Sequence, residues 1–304
     1  MNKSYIEIVR LLLESAPAVF ETPLFAMKGG TAINLFVEDM PRLSVDIDVV
    51  YTNHQATREE ALKDISQSLD NARARLVKGG LEVEVSSTKD AEEIKLFIRR
   101  GRLQVKVEVN YVFRGTVLPV KILRLGNEAR NLFTTELSAP VLATSELYGS
   151  KLVAAMDRQH PRDFFDIHGL FSRDGLTAEV VECFVCYLAG HNRPVHEVLF
   201  SRDLDMVSAF ENEFVGMSRN PITLTELQHT RRKLKEELPT ALTSAQRQFL
   251  LSLVAGEPDW QLMKCPHLSQ LPAIRWKLHN LIKLKKSNPR KFAKQSEELE
   301  RLNV

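Results

Sequence analysis

Lys28-Gly29-Gly30-Thr31, followed fifteen residues later by Asp46-Ile47-Asp48, is the stretch whose reading decides the fold. Val45 to Tyr51 alternates apolar and polar residues before turning continuously apolar and β-branched, the pattern of a strand buried at its far end. Side chains at i and i+2 of a strand share a face, roughly 7 Å apart, so Asp46 and Asp48 are expected to project together. Two neighbouring anions repel, and a structural strand gains nothing from that unless a cation sits between them. A hard divalent ion that prefers oxygen ligands, magnesium or manganese, suits the pair.

Upstream, Pro23 to Met27 is a short apolar run, and Thr31 to Phe36 has helical spacing with Ala32, Leu35 and Phe36 on one side. The glycine pair therefore falls at a strand-to-helix turn. Without side chains there, backbone N–H groups can approach an anion closely, and the positive end of the helix dipole adds to the attraction. A glycine pair alone is usually just a turn. Together with the two carboxylates, in this order and spacing, it is far more specific.

The motifs Lys28-Gly29-Gly30-Thr31-Ala32-Ile33-Asn34-Leu35-Phe36 and Arg42-Leu43-Ser44-Val45-Asp46-Ile47-Asp48 resemble the signature of the polymerase-β-like nucleotidyltransferase superfamily. More narrowly, they resemble the AbiEii/AbiGii toxins and their MenT-like relatives. A second block agrees: Glu146 to Arg158 with Lys151 at its centre, then Pro161-Arg162-Asp163-Phe164-Phe165-Asp166, is similar to the family's lysine and Arg-Asp-x-x-Asp elements. The motifs cover about residues 20 to 170, and the rest agrees only in being helical. The resemblance implies an α+β protein. Residues 1–140 would form the nucleotidyltransferase domain, a mixed sheet with flanking helices, and residues 141–304 an all-helical domain completing the active-site cleft.

It also implies roles. Asp46, Asp48, Lys151 and Asp163 would be catalytic, with Asp163 orienting Lys151 or acting as a base. Lys28, Gly29, Gly30, Thr31, Arg42, Ser44 and Asp166 would surround a nucleoside triphosphate donor, Arg42 and Ser44 by shaping the loop and Asp166 in a supporting position. Metal would sit on Asp46 and Asp48, with Glu108 as a candidate third ligand from the strand Leu103 to Phe113. Glu108 has a second reading, as the water-facing side of a half-buried strand whose other face carries Val105, Val107 and Val109. Asp163 and Asp166 likewise have one, since acids are favourable in a helix's first turn.

The same resemblance implies a toxin, restrained by a cognate antitoxin, in a toxin–antitoxin or phage-defence system, with the 3′ end of transfer RNA as acceptor. The rival expectations are transfer to a small molecule or a protein side chain, as in AMP-transferring relatives, and a degenerate module that binds nucleotide without turnover. The intact acidic pair argues against the last.

Composition is compatible with all this without demanding it. The 304 residues are 44% hydrophobic and 26% charged, ordinary for a globular protein, and the net charge of +2 does not announce a nucleic-acid partner. No stretch reaches the roughly 18 apolar residues needed to span a bilayer, and the opening residues do not read as a signal peptide, so a cytoplasmic location is expected. Positive charge is concentrated late, in Arg231 to Lys235 and between Lys277 and Lys294. Such runs form either solvated helix faces or a phosphate-binding surface. Cys183 and Cys186 lie on a helix-period segment and are expected as buried thiols. Capping boxes are expected at Thr57-Arg58-Glu59-Glu60, Thr225-Glu226-Leu227-Gln228 and Thr243-Ser244-Ala245-Gln246.

Overall fold

Strands β1 (Phe25–Lys28), β2 (Asp46–Tyr51), β3 (Glu82–Ser87), β4 (Glu93–Arg100), β5 (Leu103–Asn110), β6 (Lys121–Arg124) and β7 (Ser138–Val141) join one mixed sheet. Their order is β3-β4-β5-β2-β1-β7-β6. In this computed structural model residues 1–87 and 93–300 are described. β2 lies parallel to β5 and antiparallel to β1, so the acidic strand sits in the interior of the sheet.

The helices are α1 (Lys3–Val19), α2 (Gly29–Ala32, continuing as a π-helical turn over Ile33–Val37), α3 (Arg58–Lys78), α4 (Asn127–Phe133), α5 (Thr144–Arg158), α6 (Pro161–Phe171) and α7 (Ala178–Ala189). They continue with α8 (Val195–Leu199), α9 (Val207–Glu213), α10 (Leu224–Ala241), α11 (Ser244–Val254), α12 (Pro272–Ser287) and α13 (Pro289–Leu299). Two compact units result, residues 1–147 with 214–221 and residues 148–213 with 222–304. The division falls inside α5 rather than before it.

In the first unit, α1 packs against β5, β2 and α3. The sheet face with Ile47, Val49, Val105, Val107 and Val109 is fully buried, as the period of two requires. Thr57 caps α3 in a complete capping box with Glu60, and the helix ends at Gly79. Phe214–Pro221 belongs to this unit because its backbone braces the loop before β2. Leu43 N–H donates to the Met217 carbonyl at 2.9 Å, and Arg219 N–H to the Pro41 carbonyl at 2.8 Å.

The second unit is helical. Cys183 and Cys186 are buried free thiols on α7, as expected. α10 is capped by Thr223 with Glu226 rather than by Thr225, which lies inside the helix, whereas Thr243 caps α11 as expected. Among the described residues no helix is long and apolar enough to cross a membrane.

Gly149 on α5 shows how closely these helices approach. A β-carbon there would come within 2.6 Å of Cys183 Cβ and 2.7 Å of the Phe184 nitrogen. Gly149→Ala is therefore expected to destabilise the protein by about 1–3 kcal/mol through overpacking, read as a lower midpoint in urea. An unchanged midpoint would show that α5 and α7 can separate freely.

Candidate active site

The glycine turn and the acidic strand are physically one object. β1 ends at Lys28, which stands in register with Asp48 on β2, and Gly29 then adopts a left-handed φ of +74° to open α2. A β-carbon on Gly29 would lie 2.4 Å from Asp48 Oδ2. Both conditions, the dihedral and the flush carboxylate, demand glycine. Gly30 has the second close approach: a β-carbon there would meet the Arg42 guanidinium at 2.9 Å and Ser44 Oγ at 3.0 Å.

Thr31, Arg42 and Ser44 gather against this turn, Arg42 and Ser44 being the two residues expected to shape the loop. Thr31 Oγ1 is 3.0 Å from Ser44 Oγ and donates to the Asp46 carbonyl oxygen, which ties the start of α2 to the start of β2. Arg42 is 1% exposed and donates to the Leu43 carbonyl at 2.9 Å. The Asn34 side chain donates to the Gly30 carbonyl at 2.9 Å and holds the turn from the other end.

Asp46 and Asp48 are both half-buried and share one sheet face, while Ile47 and Val49 point into the core. The parallel pairing of β2 with β5 sets Asp48 opposite Glu108 and Asp46 opposite Lys106. Lys95 on β4 is in turn opposite Glu108. The result is a patch of alternating charge. Glu108 Oε1 lies 3.0 Å from Lys95 Nζ and 3.2 Å from Lys106 Nζ, and Lys106 Nζ is 3.9 Å from Asp46 Oδ1. Burial alone would raise the Glu108 pKa, but the two ammonium groups outweigh it and hold the carboxyl below its usual range.

Lys95 and Lys106 are the site-lining residues that sequence reasoning missed. Each looked like the polar half of an alternating strand, and only the register reveals what they face. Glu108, the candidate third ligand, is engaged by both of them. Among the described residues no group of three or more acids, histidines or cysteines is placed to hold a metal. Asp46 and Asp48 still fit a divalent cation: they are hard oxygen donors, close in chain and partly open to solvent. Magnesium completes such a two-carboxylate shell with water and substrate phosphate oxygens.

The second charged cluster lies in the helical unit. Pro161 occupies the first turn of α6 and His160 caps it, so Asp163 and Asp166 fall on one face. Lys151 on α5 is 5% exposed, with Nζ 2.9 Å from Asp163 Oδ1 and 3.0 Å from Asp166 Oδ2. Arg158 adds Nε to Asp163 Oδ2 at 2.6 Å. Asp163 is fully buried, and burial would raise its pKa, yet Lys151 and Arg158 together hold it well below the usual carboxylate range. Phe164, Ile167 and Leu170 pack inward from the same helix, as the spacing predicts. Glu146, earlier in α5, is a buried anchor of the first unit: its carboxylate accepts from the Val117 and Leu118 amides at 2.7 and 2.9 Å.

A glycine turn flush against an Asp-x-Asp strand in a mixed sheet is the arrangement of a nucleotidyltransferase site. A family profile described as nucleotidyl transferase AbiEii toxin, type IV toxin–antitoxin system, matches residues 10–280. The chain belongs to this family and is a nucleotidyltransferase toxin of a toxin–antitoxin system. Among solved structures it is similar to MenT4, a nucleotidyltransferase toxin from Mycobacterium tuberculosis H37Rv. Identity is 21%, coverage is 91% of each chain and the TM-score is 0.60, which shows a shared fold. No curated protein matches the sequence.

Two outcomes follow from the geometry. Lys106→Met removes an ammonium 3.9 Å from Asp46 and is expected to tighten Mn2+ binding on the order of tenfold, ~1.4 kcal/mol, in a nucleotide-free electron paramagnetic resonance titration; weaker binding would contradict the placement. Lys151→Ala leaves two buried carboxylates short of a positive charge and is expected to cost about 3–5 kcal/mol of stability. Because the folded Asp163 pKa lies below its ordinary value of 3.8, the cluster's contribution is complete above that pH and lost as pH falls further. Urea unfolding from pH 5 to pH 2 should show wild type losing stability below pH 3.8 and a shallower decline in Lys151→Ala.

Proposed function

We propose that the protein transfers a nucleotide from a nucleoside triphosphate to RNA, with the 3′ end of transfer RNA as acceptor, in the cytoplasm and under the control of its antitoxin. The observation that carries the transfer reading is the contact of Gly29 with Asp48, since it sets phosphate-approaching backbone beside paired carboxylates. The RNA acceptor is supported by the motif resemblance and by the late concentration of lysine and arginine.

In this scheme the acceptor hydroxyl oxygen bonds to the α-phosphorus as the bond to pyrophosphate breaks, in line and without a covalent enzyme intermediate. Asp46 and Asp48 would hold magnesium or manganese, which supplies charge neutralisation for the triphosphate and lowers the pKa of a bound hydroxyl. The Gly29 and Gly30 backbone would approach the β- and γ-phosphates, with Lys28 as a nearby positive charge. Thr31, Arg42 and Ser44 keep that turn rigid. Lys151 and Asp163 are assigned to the machinery by their motif, with Asp166 sharing the lysine and so fixing its ammonium.

The experiment is incubation of the purified protein with magnesium, total RNA, cell protein and each labelled nucleoside triphosphate in turn. Label in transfer RNA supports the proposal; label confined to protein or a small molecule overturns the acceptor. Asp48→Ala is expected to lose transfer and growth inhibition while melting at or above the wild-type temperature, because removing one of two repelling carboxylates relieves the fold. A folded Asp46→Ala/Asp48→Ala protein that still transferred nucleotide would end the reading.

A further inference from the structure

α12 is an unusual helix. Its sixteen residues, Pro272–Ser287, contain five lysines and arginines and no acid. Ala273, Ile274, Lys277 and Leu281 form the buried side. Lys277 is held there by donating to the Arg193 carbonyl at 2.6 Å, and burial lowers its pKa to about 8. The opposite side carries Trp276, 52% exposed, the largest type of side chain and one that proteins seldom leave in water.

Trp276 does not stand alone. Its indole stacks on His279 with centroids 5.8 Å apart and planes 13° from parallel. Residues 276, 279 and 283 follow a helical i, i+3, i+7 stripe, so Lys283 continues the same line about 10.5 Å from Trp276. Arg275, Ile282 and Lys286 flank it and are exposed. Lys285 is turned away, its ammonium 5.5 Å from the centroid of the Phe292 ring. α13 carries Arg290, Lys291 and Lys294 in its first half and acids only at its far end, Glu297 and Glu298.

We propose that this face of α12 binds single-stranded RNA, with one base stacked on the Trp276 and His279 pair and the adjoining phosphates against Lys283, Lys286 and Arg275. A flat, pre-stacked aromatic pair bordered by cations matches what bases and phosphates require together, since stacking tolerates any base and the cations follow the backbone. An acidic protein segment would satisfy the charges but has no comparable use for a planar surface. The proposal deepens the RNA-acceptor reading and rests on it.

The test measures binding of a fluorescein-labelled ten-nucleotide RNA to the full-length protein without metal or nucleotide, by anisotropy at several salt concentrations. Trp276→Ala is expected to weaken binding about tenfold, within the range for loss of one stacked base. Lys283→Ala/Lys286→Ala should weaken it and reduce the salt dependence by the loss of about two phosphate contacts. Both sites are exposed, so circular dichroism should confirm folded variants. Unchanged affinity in both, or displacement of the RNA by polyglutamate at equal concentration with the same sensitivity to Trp276→Ala, overturns the proposal. Transfer assays in parallel keep the two readings apart: the face stands or falls on the binding variants, and the acceptor on where wild type deposits label.

Discussion

The contact on which the first unit depends is the absence of a side chain at Gly29. The chain must turn from β1 into α2 at a point where Asp48 Oδ2 leaves no room for a β-carbon. That one restriction joins three things that sequence alone keeps separate: the end of a strand, the start of a helix and the direction of a carboxylate. Gly30 repeats the arrangement over Arg42 and Ser44. The turn is consequently backed by buried polar groups, Thr31, Arg42 and Ser44. In the proposed reading this rigidity has a chemical use, because a phosphate site that must reorganise on binding loses part of the interaction it offers.

The two charged clusters use electrostatics in different ways. In the helical unit, Lys151, Arg158, Asp163 and Asp166 balance two positive against two negative charges, with Asp163 buried in full. Such a set is costly to desolvate and holds only while every member is present. On the sheet face, Asp46, Glu108, Lys95 and Lys106 each remain near a third exposed, so their mutual attraction is screened. A screened patch can exchange its partners for an incoming cation or phosphate at modest cost. The buried part of this cluster, Lys151 with Asp163 and Asp166, cannot, whereas Arg158 reaches Asp163 from the surface with its side chain 62% exposed.

Much of this was legible in advance, and the failures are instructive. The strand at Asp46, the glycine turn, the capped start of α3 and the proline start of α6 are all local features, and local chemistry reads them. The cap of α10 was misplaced because Thr223-Leu224-Thr225-Glu226 and Thr225-Glu226-Leu227-Gln228 both satisfy the same pattern, two residues apart. The partners of Glu108 were invisible for another reason. Lys95 meets Glu108 only through the antiparallel pairing of β4 with β5, and Lys106 reaches Asp46 only because β2 pairs in parallel with a strand more than fifty residues later, registers no short pattern encodes. The return of Phe214–Pro221 to the first unit is the same kind of fact, carried by backbone hydrogen bonds that no side chain advertises.

The likeness to MenT4 follows from where the constraints lie. With 21% identity over 91% of both chains, the two share a fold while most positions differ. Positions that only fill a core can change in concert, since volume and pattern suffice to keep a sheet covered. Positions such as Gly29 admit no substitute, because both dihedral and space are taken. A chain of this kind can drift over nearly all its length and keep its fold. Lys106 shows the margin that remains: it sets the charge beside Asp46 without touching that framework, a position where the electrostatics of the face can vary while the architecture does not.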